Sequence, residues 1–346
     1  MKVKRIAATT LSAAMLCAIL SGCGSSAAEQ KVYTMRYATL SASSDPQSIA
    51  GRYLQEILED KTNGRIELVL YENKQLANSD REKAEMVQMN ILEMATVPTS
   101  TLAALSSNLS DLYIYDFPYM FHNNQELFDY CESDIGKKML NHVEEEVGIK
   151  AVNGFQMGWQ KISNNTRPIT KPEDMEGLKI RTMTSNQMMD FVKFCGGSAA
   201  PISYGEVYTA LQQKTIDGMM TSTGLYVTDG FWEVQKYLCP TNQSPLFHIL
   251  IINQDFYNSL PDDLKSILDE CLQLYVEKAR VEYEKNEEES LKFMEENGIE
   301  ISKIEDIEAF YAIGDQVNEK NKDSVDAKLL EETEQWLTDY RVAHSE

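Results

Sequence analysis

The stretch Gly177–Asn186, GLKIRTMTSN, places an arginine where it could bind an anion. Leu178 and Ile180 alternate as in a half-buried strand, and Arg181 follows directly. The residues after it have the composition of a turn that leads into a helix. A guanidinium at a strand end is either a solvated surface charge or a receptor for a carboxylate, because its planar fork of donors matches two carboxylate oxygens.

The sequence lacks several common catalytic, metal-binding and nucleotide-binding motifs. No metal-binding spacing such as H-E-x-x-H includes any of the four histidines, so surface or core roles are expected for them. They are His122, His142, His248 and His344. The sequence contains no G-x-S-x-G elbow, phosphate loop or G-x-G-x-x-G turn. We therefore predict no catalytic residues, no metal and no cofactor.

The N-terminus has the layout of a secretory signal, with a basic start, the apolar run Ile6–Leu20 and then Cys23. A cysteine at this place resembles the lipobox of bacterial lipoproteins. An ordinary signal or a short membrane anchor is the alternative, although the apolar run is short for a spanning helix of about 20 residues. We predict a signal peptide over 1–22, lipidation of Cys23, a flexible tether over 23–31 and an extracytoplasmic protein held at the membrane by its lipid.

Length and charge restrict the remaining chain further. More than 300 of the 346 residues follow the signal, which favours two lobes over one core. The formal charge is −22, and removal of the signal with its three cations brings it near −25. Such a charge opposes binding to nucleic acid. Besides Cys17 and Cys23, four cysteines could form disulfides or stay as buried thiols: Cys131, Cys195, Cys239 and Cys271.

The first part of the mature chain alternates strands and helices. Predicted strands are Tyr33–Leu40, Ile66–Tyr71 and Leu92–Val97, and predicted helices between them are Gln47–Asp60 and Ser79–Asn90. This order implies a parallel sheet with right-handed crossovers. Ligands of such sheets lie off the carboxyl ends of the strands.

Later segments predict a second α/β block and connections between the two blocks. Lys150–Ser163 has the pattern of one long strand, and its internal glycines suit a chain that crosses between lobes. The second block begins with Leu178–Thr182 and continues with a helix from Ser185 to Phe194 and the segments Gly205–Gln213 and Thr215–Thr221. Phe247–Asn253 is another buried strand. A helix from Pro261 to about Glu296 would exceed about 50 Å and could run along both lobes. The segment Ile304–Tyr340 is predicted as further helix.

Three segments resemble one family in order and spacing: GLKIR at 177–181, GEVYTALQQKTIDG at 205–218 and FWEVQKYL at 231–238. They are similar to the extracytoplasmic solute receptors of tripartite ATP-independent periplasmic (TRAP) transporters, of the DctP type. GRIELVLYENKQLANSDRE at 64–82 and NSLPDDLKSIL at 258–268 also fit, so the resemblance covers the whole mature chain.

The resemblance implies a two-lobe α/β fold like that of periplasmic binding proteins, with parallel-rich sheets, crossing strands and a long helix. We expect lobe I over 32–158 plus about 247–286, and lobe II over 159–246 plus about 287–346. Family members bind organic acids such as C4-dicarboxylates, sialic acid and uronates, and they pass the solute to membrane subunits. A receptor that serves a sensor kinase, or a secreted enzyme on the same scaffold, is the alternative.

The resemblance also implies roles for single residues. Arg181 matches the arginine that binds the carboxylate, and Tyr204 lies where an aromatic contacts the ligand. Two positions depart from the usual pattern: Gln160, in GWQKIS, stands where a second arginine is common, and Thr221, in DGMMTS, replaces an asparagine. Both departures remove polar donors, which favours a monocarboxylate with a sugar-like or less polar body over a standard dicarboxylate.

Further ligand contacts are expected at strand ends, at helix starts and at the crossing between lobes. These candidates are Ser41, Asn78, Asp80, Thr96, Trp159 and Gln243. Trp159 could stack on a sugar face. The alternative for each is a capping or core role.

Overall fold

The computed structural model describes residues 31–344. The predicted signal peptide, the lipidation site Cys23 and the tether up to residue 30 lie outside the described residues. From Tyr33 onward the chain forms one unit with two mixed sheets and helices around them.

The strands of the described residues fall into a five-stranded and a six-stranded sheet. They are β1 Tyr33–Ala38, β2 Ile66–Tyr71, β3 Met94–Pro98, β4 Ile149–Trp159, β5 Lys161–Asn164, β6 Lys179–Thr182, β7 Ser198–Pro201, β8 Gly218–Thr221, β9 Tyr237–Cys239, β10 Pro245–Asn253 and β11 Glu300–Ile301. The first sheet has the order β2-β1-β3-β10-β4, and the second has the order β11-β9-β5-β8-β6-β7.

The α-helices pack on and between these sheets. They are α1 Pro46–Thr62, α2 Asp80–Gln88, α3 Thr99–Ala103, α4 Asn124–Glu132, α5 Asp134–Val147, α6 Asn186–Phe194, α7 Tyr204–Gln212, α8 Thr223–Thr228, α9 Gln254–Ser259, α10 Asp262–Glu296, α11 Ile307–Asn321 and α12 Ala327–Ala343. Short 3₁₀ segments, of which Ser107–Asp116 is the longest, complete the connections.

The parallel arrangement predicted for the first block is confirmed, because β1 pairs in parallel with both β2 and β3. The helices begin where their capping residues predict. The Asp45 carboxylate accepts a hydrogen bond from Gln47 N at 2.9 Å at the start of α1, and the Ser79 hydroxyl accepts one from Glu82 N at the start of α2. Because the carboxyl ends of parallel strands lie at the same edge of a sheet, the loop after β1, the end of β3 and the start of α2, which follows β2, lie at one edge.

The strand predicted over Lys150–Ser163 is divided in the structure, because the chain leaves one sheet and enters the other at Gln160. Residues before the break belong to β4 and pair with β10, and residues after it belong to β5 and pair with β8 and β9. Gly158 has φ 110°, and a Cβ there would collide with Ser222. Glycine is thus needed to turn the chain between the sheets.

The second sheet contains three strands that the sequence did not predict. They are β7, β9 and β11, of four, three and two residues. A strand this short has too few positions for an alternating pattern to be recognised. The C-terminal segment predicted as further helix consists of two helices, α11 and α12, which a short 3₁₀ turn separates.

The long helix predicted from Pro261 is confirmed as α10, whose 35 residues span about 50 Å. Its first part, from Leu264 to Tyr283, packs in a core cluster with β1 and α1, and Met294 near its end packs in a cluster of the second sheet. Tyr275 also shares a 2.6 Å hydrogen bond with Tyr37 of β1. The helix is therefore anchored in both halves of the fold.

The last helix, α12, does not pack with the lobe to which the expected division assigns it. Its residues Leu329 and Leu337 belong to the core cluster that contains α4 and α5, on the side of the first sheet. The expected boundary instead assigns 287–346 to the second lobe. Helix α11 does pack with the second sheet, through Phe310 and Val317.

The four cysteines of the described residues are free and buried, so the structure supports the thiol alternative. Burial raises the pKa of each thiol, that of Cys131 to about 11, which keeps it protonated and unreactive. Within residues 31–344, no helix combines the length and apolarity that crossing a membrane requires.

Candidate functional site

A cavity lies between the two sheets, at the edge where the first block presents its strand ends. The space inside it that a water molecule can reach is only about 40 Å³, and the volume rises to about 500 Å³ when the gaps between the lining atoms and the open space at its mouth are included. Six of the ten predicted ligand-binding residues line it: Ser41, Asp80, Gln160, Arg181, Tyr204 and Thr221. Because the first two come from the first block and Arg181 and Thr221 from the second sheet, both halves of the fold contribute.

Arg181, on β6, is a buried cation that forms no ion pair with the described residues. Its side chain Nε donates a 3.0 Å hydrogen bond to the Ile202 carbonyl oxygen, and the residue is only 6% exposed. Among residues 31–344, no acceptor or carboxylate partner pairs with its two Nη groups. Burial lowers the pKa of Arg181 to about 10, so the guanidinium still carries its charge at neutral pH.

Tyr204, at the start of α7, fixes one wall beside this arginine. Its ring lies 5.7 Å from the Arg181 guanidinium carbon, a cation–π arrangement. Its hydroxyl donates a short hydrogen bond to the Asp229 carboxylate, and its ring packs edge-on against Phe231. The tyrosine therefore presents its face, rather than its hydroxyl, to the arginine.

A second cation of the cavity, Lys83, is already paired. Its Nζ lies 2.9 Å from Asp80 Oδ1 and donates a 2.7 Å hydrogen bond to the Thr96 carbonyl oxygen. Burial alone would raise the pKa of Asp80, but the charge and hydrogen bond of Lys83, together with the electrostatic influence of His248 and Arg181, hold that pKa below its usual value. The pair contributes no net charge to the cavity.

Two neutral polar side chains of the cavity have unused hydrogen-bonding groups. Gln160 is 2% exposed and His248, on β10, is 5% exposed. The Gln160 Oε1 and His248 Nδ1 atoms have no partner within the described part of the chain. Burial, with some help from the Lys83 charge, lowers the pKa of His248 to about 3, so its ring is neutral at physiological pH.

The remaining lining is mostly apolar. It comes from both halves of the fold and includes Leu40, Pro98, Met157, Met183, Met220, Leu225 and Leu246. Thr221 and Ser41 add hydroxyl groups, which are already engaged with the Ser222 carbonyl oxygen and the Gln47 side chain.

Four predicted residues are not among those that line the cavity. Thr96 lies just behind it, where its hydroxyl accepts from Gln47 and its carbonyl oxygen from Lys83. The Trp159 indole donates to Asn124 Oδ1 at 2.8 Å. Gln243 is buried and its Oε1 accepts from the Thr241 hydroxyl, while Asn78 is exposed and its carbonyl oxygen lies close to Gly205.

Sequence reasoning missed three polar residues of the cavity: Gln47, Lys83 and His248. Lys83 follows Asp80 at helical spacing, so an intrahelical pair was foreseeable, but its burial was not. His248 was interpreted as a surface or core histidine. Nothing in a single buried strand shows which of its faces borders a cavity.

An outer cleft adjoins the cavity and shares four lining residues with it: Asp80, Arg181, Met183 and Tyr204. Its other lining is largely polar and includes Ser79, Arg81 and Ser203. Arg181 thus stands between an inner apolar cavity and an outer polar cleft, where an anion that arrives from solvent would meet it.

Behind the cavity, the Asp45 carboxylate links the first block to α10. Its Oδ1 accepts hydrogen bonds from Tyr283 OH at 2.8 Å and from Gln47 N, whereas Oδ2 has no partner in the described residues. Burial and the charge of Asp229 raise the pKa of Asp45 to about 7. No group of three or more His, Cys, Asp or Glu side chains in residues 31–344 could hold a metal ion.

Comparison of the sequence with known proteins identifies a family. The model of the DctP family, bacterial extracellular solute-binding protein family 7, matches residues 37–323. The chain is 26% identical over 264 residues to the C4-dicarboxylate-binding periplasmic protein DctP of Rhodobacter capsulatus, which covers 76% of this chain and 78% of that protein. It is 26% identical over 289 residues to the 2,3-diketo-L-gulonate-binding periplasmic protein YiaO of Escherichia coli, which covers 83% and 86%.

A solved structure shows the same fold. The sugar acid binding protein DctPAm of Advenella mimigardefordensis, in complex with galactonate, matches with a TM-score of 0.85 and 22% identity, over 89% of this chain and 99% of that chain. The predicted two-lobe α/β fold class is therefore confirmed. Since the family model spans most of the sequence, the chain belongs to the DctP family and is an extracytoplasmic solute-binding protein of the TRAP type.

Proposed function

We propose that this chain is the receptor that captures a carboxylate-bearing organic acid between its lobes and delivers it to the membrane subunits of a TRAP transporter. Arg181 carries the proposal, because it is a buried guanidinium with no ion-pair partner among residues 31–344. Burying an unpaired charge is costly. A ligand carboxylate would remove that cost by supplying the missing acceptor.

Relatives and structural neighbours support an organic acid as the ligand. The ligands in their names and complexes include C4-dicarboxylates, sialic acid, galactonate, glucuronate and succinate. Each of these molecules carries a carboxylate. We therefore propose a carboxylate on the ligand of this chain, and we do not propose any one of these compounds.

The other cavity residues have supporting roles in the proposal. Tyr204 orients the guanidinium through its ring, and Gln160 and Thr221 contact the body of the ligand from the second lobe. Ser41 and Asp80 line the first-lobe wall. Thr96 acts through Gln47 and Lys83, and Asn78, Trp159 and Gln243 support the surrounding loops.

We place the lobe boundary at Gln160 and again between Gln243 and β10, where the chain passes from one sheet to the other. Lobe I would also include the first part of α10, and α12 because of its packing on α4 and α5. Lobe II would include β5 to β9, the end of α10, β11 and α11. Closure of these lobes over the ligand would exclude water from the Arg181 contact.

Cys23 would hold the receptor at the outer face of the cell membrane through a lipid. This part of the proposal rests on the lipobox-like sequence before it and on the glycine, serine and alanine residues after it.

A thermal-shift screen of organic acids tests the proposed function. A ligand that binds only the folded protein must raise the unfolding temperature, and the rise must grow with ligand concentration. We expect at least one carboxylate to do so in the wild type and to lose its effect in Arg181→Ala. A screen in which no carboxylate shifts the unfolding temperature would overturn the proposal.

A further inference from the structure

We infer that the cavity selects a monocarboxylate with a mostly apolar body, and rejects both a second carboxylate and a hydroxyl-rich ring. The inference rests on the proposed function, since it names the class of acid that the same site would take. It follows from the charge of the lining, the chemistry of its walls and two hydrogen-bonding groups that have no partner in residues 31–344.

The charge of the lining matches one negative charge on the ligand. Arg181 supplies one unpaired cation, whereas Lys83 is neutralised by Asp80 at 2.9 Å and is further held by the Thr96 carbonyl oxygen. The third basic side chain, His248, is neutral because burial depresses its pKa. A second ligand carboxylate would therefore be buried without a free cation and beside the ionised Asp80.

The walls are suited to an apolar ligand body. Six aliphatic or thioether side chains surround the cavity: Leu40, Met157, Met183, Met220, Leu225 and Leu246. Hydroxyl groups that meet these side chains would lose water without gaining hydrogen bonds. Methionine side chains are flexible and polarisable, so they can adjust around hydrocarbon groups of different shape.

The polar groups left for the ligand body are few and uncharged. Gln160 and His248 are more than nine-tenths buried, and their Oε1 and Nδ1 atoms have no partner among the described residues. The hydroxyls of Ser41 and Thr221 already bond to protein atoms. The lining thus offers the ligand body only a few neutral hydrogen bonds, from Gln160, His248 and the oxygens of the two hydroxyls, against the several hydroxyls of a sugar ring.

Two pairs of similarly shaped acids test the inference. In 4-methylpentanoate an isopropyl group replaces the second carboxylate of succinate, and cyclohexanecarboxylate has a six-membered ring and a carboxylate, as cyclic D-glucuronate has, but neither the hydroxyls nor the ring oxygen. We expect isothermal titration to give at least about tenfold tighter binding of the apolar member in each pair. The purified full chain would first be unfolded and refolded to remove bound ligand.

The outcomes separate this inference from the proposed function. Equal or tighter binding of succinate or D-glucuronate would overturn the inference and leave an organic-acid receptor. If all four acids failed to bind but another carboxylate raised the unfolding temperature, the inference alone would again be wrong. If no carboxylate bound at all, the proposed function would also fail.

A charge added at Gln160 provides a second test. Gln160→Arg supplies a free cation for a second carboxylate, so the affinity for succinate relative to 4-methylpentanoate should rise by about tenfold or more. The matched control is Gln335→Arg, the same change on the exposed surface of α12, which should leave the ratio unchanged. An unchanged affinity ratio in folded Gln160→Arg would contradict the inference. If that variant does not fold, the titrations of the two acid pairs with the wild-type protein test the inference alone.

Discussion

Arg181 Nε donates a hydrogen bond to the Ile202 carbonyl oxygen at 3.0 Å, and this bond helps to hold the guanidinium at the junction of the inner cavity and the outer cleft. The bond uses the inner nitrogen of the side chain and leaves the two outer ones for a ligand. Because Ile202 follows β7, the neighbour of β6, the sheet itself fixes the position of the arginine.

Replacement of Arg181 should separate binding from stability. We expect Arg181→Met to weaken binding of an identified acid by at least about 2 kcal/mol, or roughly 30-fold in Kd. Unliganded Arg181→Met should be as stable as the wild type or more stable, because burying the charged guanidinium is costly, as its pKa lowered to about 10 indicates, and methionine has no charge to bury. Calorimetric titration and thermal unfolding measure the two effects.

Arg181→Lys is the conservative comparison. It keeps a positive charge but loses the planar fork, so it should recover only part of the affinity. A Met variant that binds the acid normally, or that is strongly destabilised without ligand, would contradict the role assigned to this arginine.

The Asp45 carboxyl should make stability depend on pH. Its pKa rises from 3.8 to about 7 on folding, through burial and the charge of Asp229. The stability it contributes is full below about 3.8 and is lost as pH rises through about 7. Asp45→Asn keeps an oxygen for the α1 cap and Tyr283, and should stabilise the protein by about 1–3 kcal/mol at pH 8 but little at pH 4.

Urea unfolding of both proteins across this pH range measures the difference. The matched control is Asp326→Asn, the same change at the exposed cap of α12. A difference between wild type and Asp45→Asn that stays constant from pH 4 to pH 8 would show that Asp45 is not the titrating group.

The ion pair between Lys161 and Glu287 should hold the crossing strand against α10. Lys161 Nζ lies 2.8 Å from Glu287 Oε1, and the two side chains are 6% and 29% exposed. Glu287→Gln should cost about 1–3 kcal/mol, and Lys161→Met should cost less, because the first change leaves the more buried charge without a partner. Urea unfolding measures both changes.

The exposed pair Lys292–Glu296 on the same helix provides the control. The equivalent single changes there should alter the free energy of unfolding by less than about 0.5 kcal/mol. Equal costs for Glu287→Gln and Lys161→Met would argue against burial as the cause of the asymmetry.

Cys23→Ala should release the protein from the membrane. Cells that express the wild type should incorporate labelled fatty acid into the protein and retain it in the membrane fraction, because lipid chains provide the anchorage. Cys17→Ala, a change within the predicted signal, should leave labelling intact. Labelling that persists in Cys23→Ala would show that the lipid is attached at another residue, and the proposed anchor at Cys23 would be wrong.

The sequence by itself determined much of the architecture. Alternation and helical spacing located β1 to β3 with α1 and α2, and a proline at its start marked α10. These features are visible because they depend on neighbouring residues in the chain. The position of Arg181 after Ile180 in β6, together with the family resemblance, also predicts that this arginine binds a carboxylate.

The tertiary structure decided which of the other polar residues meet at the cavity. It brought Gln160 and Arg181 together but placed Trp159 against Asn124, because one backbone turn directs adjacent side chains to different surroundings. It also revealed that Lys83 is neutralised and that His248 borders the cavity uncharged. Charge pairing and burial arise from contacts between distant segments, so spacing along the chain could not supply them.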